Sequence, residues 1–285
     1  MTIAFKQIGP TFVAEATGVD IGSALTPSEV AQIREAALQY GVLVFRDQDI
    51  SDEQQIAFSE KFGPIEDKTG GNIRANERVN SKINDISNLD ASGATLMHSD
   101  RQRFFNLANR LWHSDSSFRQ TPASYSFLSG RIIPECGGNT EFADMRAAYD
   151  ALDDRMKADV ENMICEHSLL HSRGELGFEV TDEERLKFAP VRQRLVRAHP
   201  ETGRKTMFLS SHGGEIDGLP RPEARMLLRE LAEHGTQQAF RYAHVWRRHD
   251  LLMWDNRCTM HRACRFDESE VRDLRRTTLV GQPTL

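Results

Sequence analysis

Apolar residues first recur at helical spacing after TPSE at 26–29. This is a capping box with Pro27 at the first helical position, and it predicts a helix to about Tyr40 that Gly41 stops. The run VLVF at 42–45 predicts a buried strand. Ser51 to Gln54 repeats the cap logic and opens a second helix carrying Ile56, Phe58 and Phe62, ended by Gly63-Pro64. Between 66 and 110 the apolar density falls, Gly70, Gly71 and Gly93 interrupt the chain, and only NDISNL at 84–89 predicts a strand. A connection this long is expected to be an active-site lid. Short strands then dominate: SYSFLSGRII at 124–133, RLVRAH at 194–199, TMFLSS at 206–211, FRYAHVW at 240–246, LLMW at 251–254 and RRTTLVG at 275–281. Two helices interrupt them, from about Met145 to Met163 and from about Pro222 to His234.

Strands rich in β-branched and aromatic residues, set apart by turns such as PECGG at 134–138, predict a mainly β chain with flanking helices. The expected core is an antiparallel barrel or jelly roll, in a single domain over 1–285. A parallel α/β sheet is the weaker alternative, because strands and helices do not alternate regularly and no glycine-rich phosphate loop is present. Hydrophobic residues at 39% and charged residues at 27% are globular usage. No apolar run reaches membrane-spanning length and no signal-peptide pattern opens the chain, so a cytoplasmic protein with no membrane partner is expected. A net charge of −6 argues against nucleic acid, and any anionic partner must be small and locally held. Cys136, Cys165, Cys258 and Cys264 form no C-x-x-C, which favours reduced thiols over disulfides or a zinc cluster.

The stretch LWHSDSSF at 111–118 carries the first candidate chemistry. In extended backbone, side chains at i and i+2 point the same way, so His113 and Asp115 can reach one ion. A third ligand must come from elsewhere, and His261 in MWDNRCTMHR is the strongest candidate. Two imidazoles and a carboxylate on one face of an octahedron leave positions for a co-substrate and O2, which suits non-haem Fe(II). Zinc more often takes three histidines or sulfur ligands. H-x-D also arises by chance in a chain with ten histidines, so spacing alone leaves metal binding open. His167 and His171 lack a third partner and read as structural, while His98, His234, His244 and His249 read as surface or edge residues. Arg272 and Arg276, on one face of a strand, would lie roughly 13 Å apart at about 3.3 Å per residue. Two inward guanidiniums need anions, which a dicarboxylate co-substrate and an acidic substrate would supply. The alternative is a solvated edge strand beside Asp267, Glu268, Glu270 and Asp273.

LWHSDSSF, GGNTEFADMRAAYDAL at 137–152, WDNRCTMHRA at 254–263 and the Arg272 and Arg276 pair together resemble the taurine dioxygenase family of Fe(II)/2-oxoglutarate-dependent oxygenases, in order from about Gly41 to Thr278. Within it the likeness is greatest to the aryloxyalkanoate-degrading branch. The resemblance implies a double-stranded β-helix with His113, Asp115 and His261 as iron ligands, and O2 and 2-oxoglutarate as co-substrates. Thr140 and Arg272 match the pair that holds the distal carboxylate of 2-oxoglutarate, and Arg276 matches the arginine for the substrate's anionic group. Asn109 matches a position near substrate and metal. His212 resembles a substrate-side histidine of the herbicide-degrading relatives, although Gly214 and Glu215 depart from their fuller histidine pattern. The implied activity is hydroxylation of a small anionic substrate, foremost cleavage of the ether of an aryloxyalkanoate such as 2,4-dichlorophenoxyacetate. A taurine, alkylsulfonate or alkyl sulfate dioxygenase is the alternative within the family. A zinc hydrolase and a non-catalytic metal-binding jelly roll are the alternatives outside it. Trp254 is expected to pack, and Asp255 and Asn256 to fix a turn. A homo-oligomer is left open.

Overall fold

The computed structural model describes residues 3–67 and 78–285. The chain begins β1 (Ala4–Gln7), β2 (Ala14–Thr17), α1 (Pro27–Tyr40), β3 (Val42–Phe45), α2 (Asp52–Glu60), β4 (Asn84–Ser87) and α3 (Arg101–Leu107). It continues β5 (Ala123–Ile132), β6 (Thr140–Asp144), α4 (Met145–Asp150), α5 (Asp154–Val160), β7 (Ile164–His167), α6 (Leu169–Glu175) and α7 (Asp182–Lys187). It ends β8 (Val191–Arg194), β9 (Val196–Ala198), β10 (Lys205–Met207), β11 (Gly213–Ile216), α8 (Arg221–Gly235), β12 (Arg241–His244), β13 (Leu251–Asp255), β14 (Thr259–Ala263) and β15 (Asp273–Val280). Both expected capping boxes form, Thr26 with Glu29 and Ser51 with Gln54, and Gly41 at φ 79° ends α1.

Seven strands form one sheet in the order β1-β2-β3-β13-β5-β15-β4, with β2 and β3 its only parallel pair among the described residues. Alternation sorts its side chains to two faces. Leu43, Phe45, Tyr125, Phe127, Leu251 and Met253 pack beneath Ile33 of α1 and Phe58 of α2. Val42, Val44, Leu128, Leu252 and Trp254 pack on the other face against Phe142 of β6. Phe142 belongs to a second antiparallel sheet, β12-β6-β14, and its ring lies 5.5 Å from that of Trp254. Each such buried side chain contributes about 1.5–3 kcal/mol, so burial holds the two sheets in register with one another. The chain is therefore mainly antiparallel β with flanking helices, and the parallel α/β alternative is set aside.

Several expectations need correcting. The helix expected over 145–163 is two helices, because the Asp153 side chain accepts from the Met156 amide and restarts the helix as α5. His244 lies on the edge strand β12 but is fully buried, hydrogen-bonded to Asp250 at 3.0 Å, not at the surface. The expected lid over 66–110 falls partly outside the described residues, at 68–77, and its described part contains α3 as well as β4. Among the described residues no helix is long and apolar enough to cross a membrane, and all four cysteines are free.

Candidate functional site

His113 follows a turn of 3-10 helix at Ala108–Arg110 and sits in extended backbone that pairs with β14. The pairing is a single antiparallel bridge: His113 N–H donates to His261 C=O at 3.0 Å and His261 N–H donates to His113 C=O at 2.8 Å. Two chain segments distant in sequence are thereby locked together at the two residues that matter. Their rings lie 4.2 Å apart, and the Nε2 atoms of His113 and His261 are 3.9 and 3.8 Å from Asp115 Oδ1. One ligand atom from each residue falls within 4.8 Å of the others, and all three residues are buried.

Neighbouring groups set the state of each ligand. His113 Nδ1 donates to the Leu111 carbonyl at 2.8 Å, which leaves its Nε2 lone pair facing Asp115. Burial holds both imidazoles below their ordinary pKa, His261 well below, so both are neutral ligands. Burial alone would raise the Asp115 carboxyl, but Arg276 foremost, with the Ser126 hydrogen bond, more than offsets it and holds it at about 2. Asp115 Oδ2 accepts from Ser126 at 2.7 Å and Oδ1 from Arg276 Nη1 at 2.6 Å. Asn256 fixes the backbone beneath: its Oδ1 accepts from the Asp115 amide and from Trp254 Nε1, and its Nδ2 donates to Ser126. Asn256 was expected only to fix a turn, whereas its amide joins the strand β13 to the ligand loop. The donor set of two neutral imidazoles and one carboxylate fits a divalent ion with open positions.

Two adjoining cavities flank the cluster and share Ile86, Asn106 and Asn109. One, a cleft of about 780 Å³ that opens to solvent, is lined by His113, Asp115, Asn109, His212 and Arg276, with Phe105 and Phe118 as apolar walls. Phe104, beside Phe105 in α3, is exposed. The other, of about 630 Å³, contains Arg272. Arg272 is 6% exposed, and its guanidinium donates to Gly138 C=O at 3.1 Å, with no acidic partner among the described residues. Burial pulls its pKa down to about 10. Gly137 at φ 78° and Gly138 at φ 66° make that approach possible, since a Cβ at Gly138 would meet Arg272 Nε at 3.2 Å. Thr140 is buried at the start of β6, where its hydroxyl accepts from Trp246 Nε1 at 3.0 Å; it lines neither cavity. The structure thus brings the three ligands, Asn109, His212 and Arg276 together and places Arg272 in the adjoining cavity, while Thr140 lines neither.

Arg173 of α6 was not singled out in the sequence, yet it lines the larger cavity. Nothing in LLHSRGE marks it, because its significance lies in burial that a seven-residue helix cannot reveal.

The family model described as taurine catabolism dioxygenase TauD, TfdA family, matches residues 4–278. The alpha-ketoglutarate-dependent 2,4-dichlorophenoxyacetate dioxygenase of Cupriavidus pinatubonensis is 44% identical over 98% of this chain and 98% of its own length. The (S)-phenoxypropionate/alpha-ketoglutarate-dioxygenase of Sphingobium herbicidovorans is 36% identical over 96% of this chain and 93% of its own. A crystal structure of AAD-2 in complex with Mn(II) and N-oxalylglycine superposes with a TM-score of 0.98 at 54% identity, covering all of both chains. The chain belongs to the taurine catabolism dioxygenase TauD/TfdA family.

Proposed function

We propose that this enzyme is an Fe(II)- and 2-oxoglutarate-dependent dioxygenase that hydroxylates the carbon bearing the ether oxygen of an aryloxyalkanoate such as 2,4-dichlorophenoxyacetate. The hydroxylated product collapses to a phenol and glyoxylate, while 2-oxoglutarate and O2 yield succinate and CO2. One observation carries this reading: a buried His-Asp-His cluster adjoins a buried guanidinium, Arg272, that has no acidic partner among the described residues. A zinc hydrolase would leave that arginine without a role.

His113, Asp115 and His261 would hold the iron, and Arg272 would take the distal carboxylate of 2-oxoglutarate, with Thr140 as the second contact the resemblance assigns. When bound, iron and 2-oxoglutarate supply the oxidant from O2. The chain contributes positioning and exclusion of water: Ser126 and Asn256 orient Asp115, Leu111 orients His113, and Phe105 and Phe118 give the larger cavity apolar walls suited to an aromatic ring. Asn109, His212 and Arg276 lie on the substrate side of the ligands. The two packed sheets are taken as the halves of a double-stranded β-helix in a single cytoplasmic domain. The family match over 4–278 and the four free cysteines support this.

The test is succinate release with Fe(II) and 2-oxoglutarate over phenoxyacetate, taurine and an alkyl sulfate. Phenoxyacetate should exceed the others at least about tenfold, or ~1.4 kcal/mol in transition-state binding. A faster reaction with taurine or the sulfate would replace the aryloxyalkanoate as substrate and leave the dioxygenase chemistry standing.

A further inference from the structure

A third cavity shares no lining residue with the two beside the ligand cluster. It is a cleft of about 930 Å³, open to solvent, bounded by β8, β9, β10, the turn after β13 and residues 282–284. Its wall is basic: Arg194, Arg197, Lys205 and Arg257 line it, with Glu161 as the one acid among the described lining residues. Two of these cations are already neutralised. Lys205 Nζ sits 2.6 Å from Glu161, and Arg257 pairs with Asp255 and Glu201 at 2.6 Å each. Among the described residues Arg194 and Arg197 have no carboxylate partner. Arg197 Nε and Nη2 donate to the Arg257 and Asn256 carbonyls at 3.2 and 3.4 Å, while its Nη1 makes no hydrogen bond among the described residues. Burial pulls its pKa down to about 10, against the opposing charge of Asp255. Arg194 is exposed on the rim, where its amide donates to Thr284 Oγ1 at 3.2 Å and pins the end of the chain beside it.

The Arg197 guanidinium is held in place before any ligand arrives. It lies 3.7 Å from the centroid of the buried Phe208 ring, which supports one face. The Asn256 carbonyl that it holds belongs to a residue whose side chain accepts from the Asp115 amide and from Trp254, so the turn and the arginine share one rigid frame. A fork fixed in this way loses little further freedom when it takes an anion. We propose that this cavity is a phosphate site, in which Arg197 from the wall and Arg194 from the rim hold the dianionic head of a phosphomonoester or of free phosphate. Two guanidiniums without counter-charge match a group that carries about −1.5 to −2 at pH 7 and presents three acceptor oxygens, whereas one carboxylate would neutralise only one of them. Ala123, Val196, Ala198, Pro200 and Pro283 add an apolar wall on which the organic part of an ester can lie. Because the cavity shares no residue with those beside the ligand cluster, filling it displaces neither co-substrate nor substrate.

The experiment is titration calorimetry of glycerol 3-phosphate, inorganic phosphate and succinate into enzyme loaded with Mn(II) and 2-oxoglutarate and freed of excess metal, with glycerol as the neutral control. A phosphate-bearing ligand should bind saturably at one site per chain, and the ranking of the ester against inorganic phosphate identifies which of the two is the occupant. Arg197→Gln should weaken that binding at least about tenfold, the loss of one charge-assisted pair. Arg194→Glu changes only an exposed side chain on the rim, should weaken binding by at least as much, and carries the test if the Arg197 variant does not fold. Absence of saturable phosphate binding to wild type would overturn the proposal, as would phosphate affinity unchanged in Arg194→Glu. Tighter binding of succinate than of either phosphate would overturn the ligand class. Phosphate binding that disappears once 2-oxoglutarate is added would put the anion at the ligand cluster and overturn the separate site.

Discussion

Replacing Arg272 with methionine should move stability and ligand binding in opposite directions. The fall of its pKa from the ordinary guanidinium range to about 10 corresponds, at ~1.4 kcal/mol per pH unit, to roughly 3 kcal/mol for keeping a charge in that cavity. Two hydrogen bonds to Gly138 C=O return about 1 kcal/mol each, so about 1 kcal/mol of net cost is left in the folded protein. Methionine fills similar volume without charge, and Arg272→Met should therefore raise the ligand-free melting temperature by about 2–4 °C. With Mn(II) present, the variant should lose about 2–5 kcal/mol of 2-oxoglutarate affinity, because the carboxylate then enters a dry cavity with no cation. Thermal melts with and without 2-oxoglutarate measure both effects on one sample. A variant that melts several degrees below wild type without ligand, yet is stabilised by 2-oxoglutarate as strongly as wild type, would refute the assignment of Arg272 as an anion-binding cation.

His113→Ala, Asp115→Ala and His261→Ala should each remove more than nine-tenths of turnover, over ~1.4 kcal/mol of barrier, and weaken Mn(II) binding in a calorimetric titration while the circular dichroism spectrum stays native. Asn256→Ala touches no ligand atom directly, but loosening the Asp115 amide and Ser126 should weaken metal affinity about 10–100-fold; unchanged affinity would mean the ligand loop is held by Ser126 alone. Asp255→Asn probes acid stability. Burial would raise this carboxyl, but Arg257 and His199 hold it below its ordinary 3.8, so its contribution is present above about pH 4 and is lost as pH falls. The variant should lose about 3–5 kcal/mol at pH 7 and show a flatter urea-midpoint profile towards low pH.

Local signals were read well from the sequence, and non-local ones were not. The capping boxes at Thr26 and Ser51, and the strand at 42–45, depend on residues three or four apart and were recovered almost to the residue. Strand β14 was missed because TMHRA mixes polar and apolar residues: one face carries His261 towards the ligands, so the apolar pattern is spent on function. H-x-D spacing could suggest two ligands and His261 could be named as a candidate third, but family resemblance was needed to assign it, since the bridge that brings it to His113 leaves no local trace. Arg276 was read as an inward cation and is one, yet its partner at Asp115 could not be inferred from strand spacing. Arg173 was missed for the complementary reason. Its guanidinium packs on Phe105 and against His212, which come from two other segments of the chain.

The two hydrogen bonds between His113 and His261 also order events in time. Closing a loop on the order of 150 residues costs roughly 4–5 kcal/mol of chain entropy, which local contacts cannot offset early in folding. Until β14 docks, the chain presents a divalent ion with only His113 and Asp115, a weak chelate. Metal therefore cannot act as a template for collapse and engages only after the sheets have closed. Its stabilisation then falls on the unfolding limb: Mn(II) should slow escape from the native state and leave the refolding rate nearly untouched.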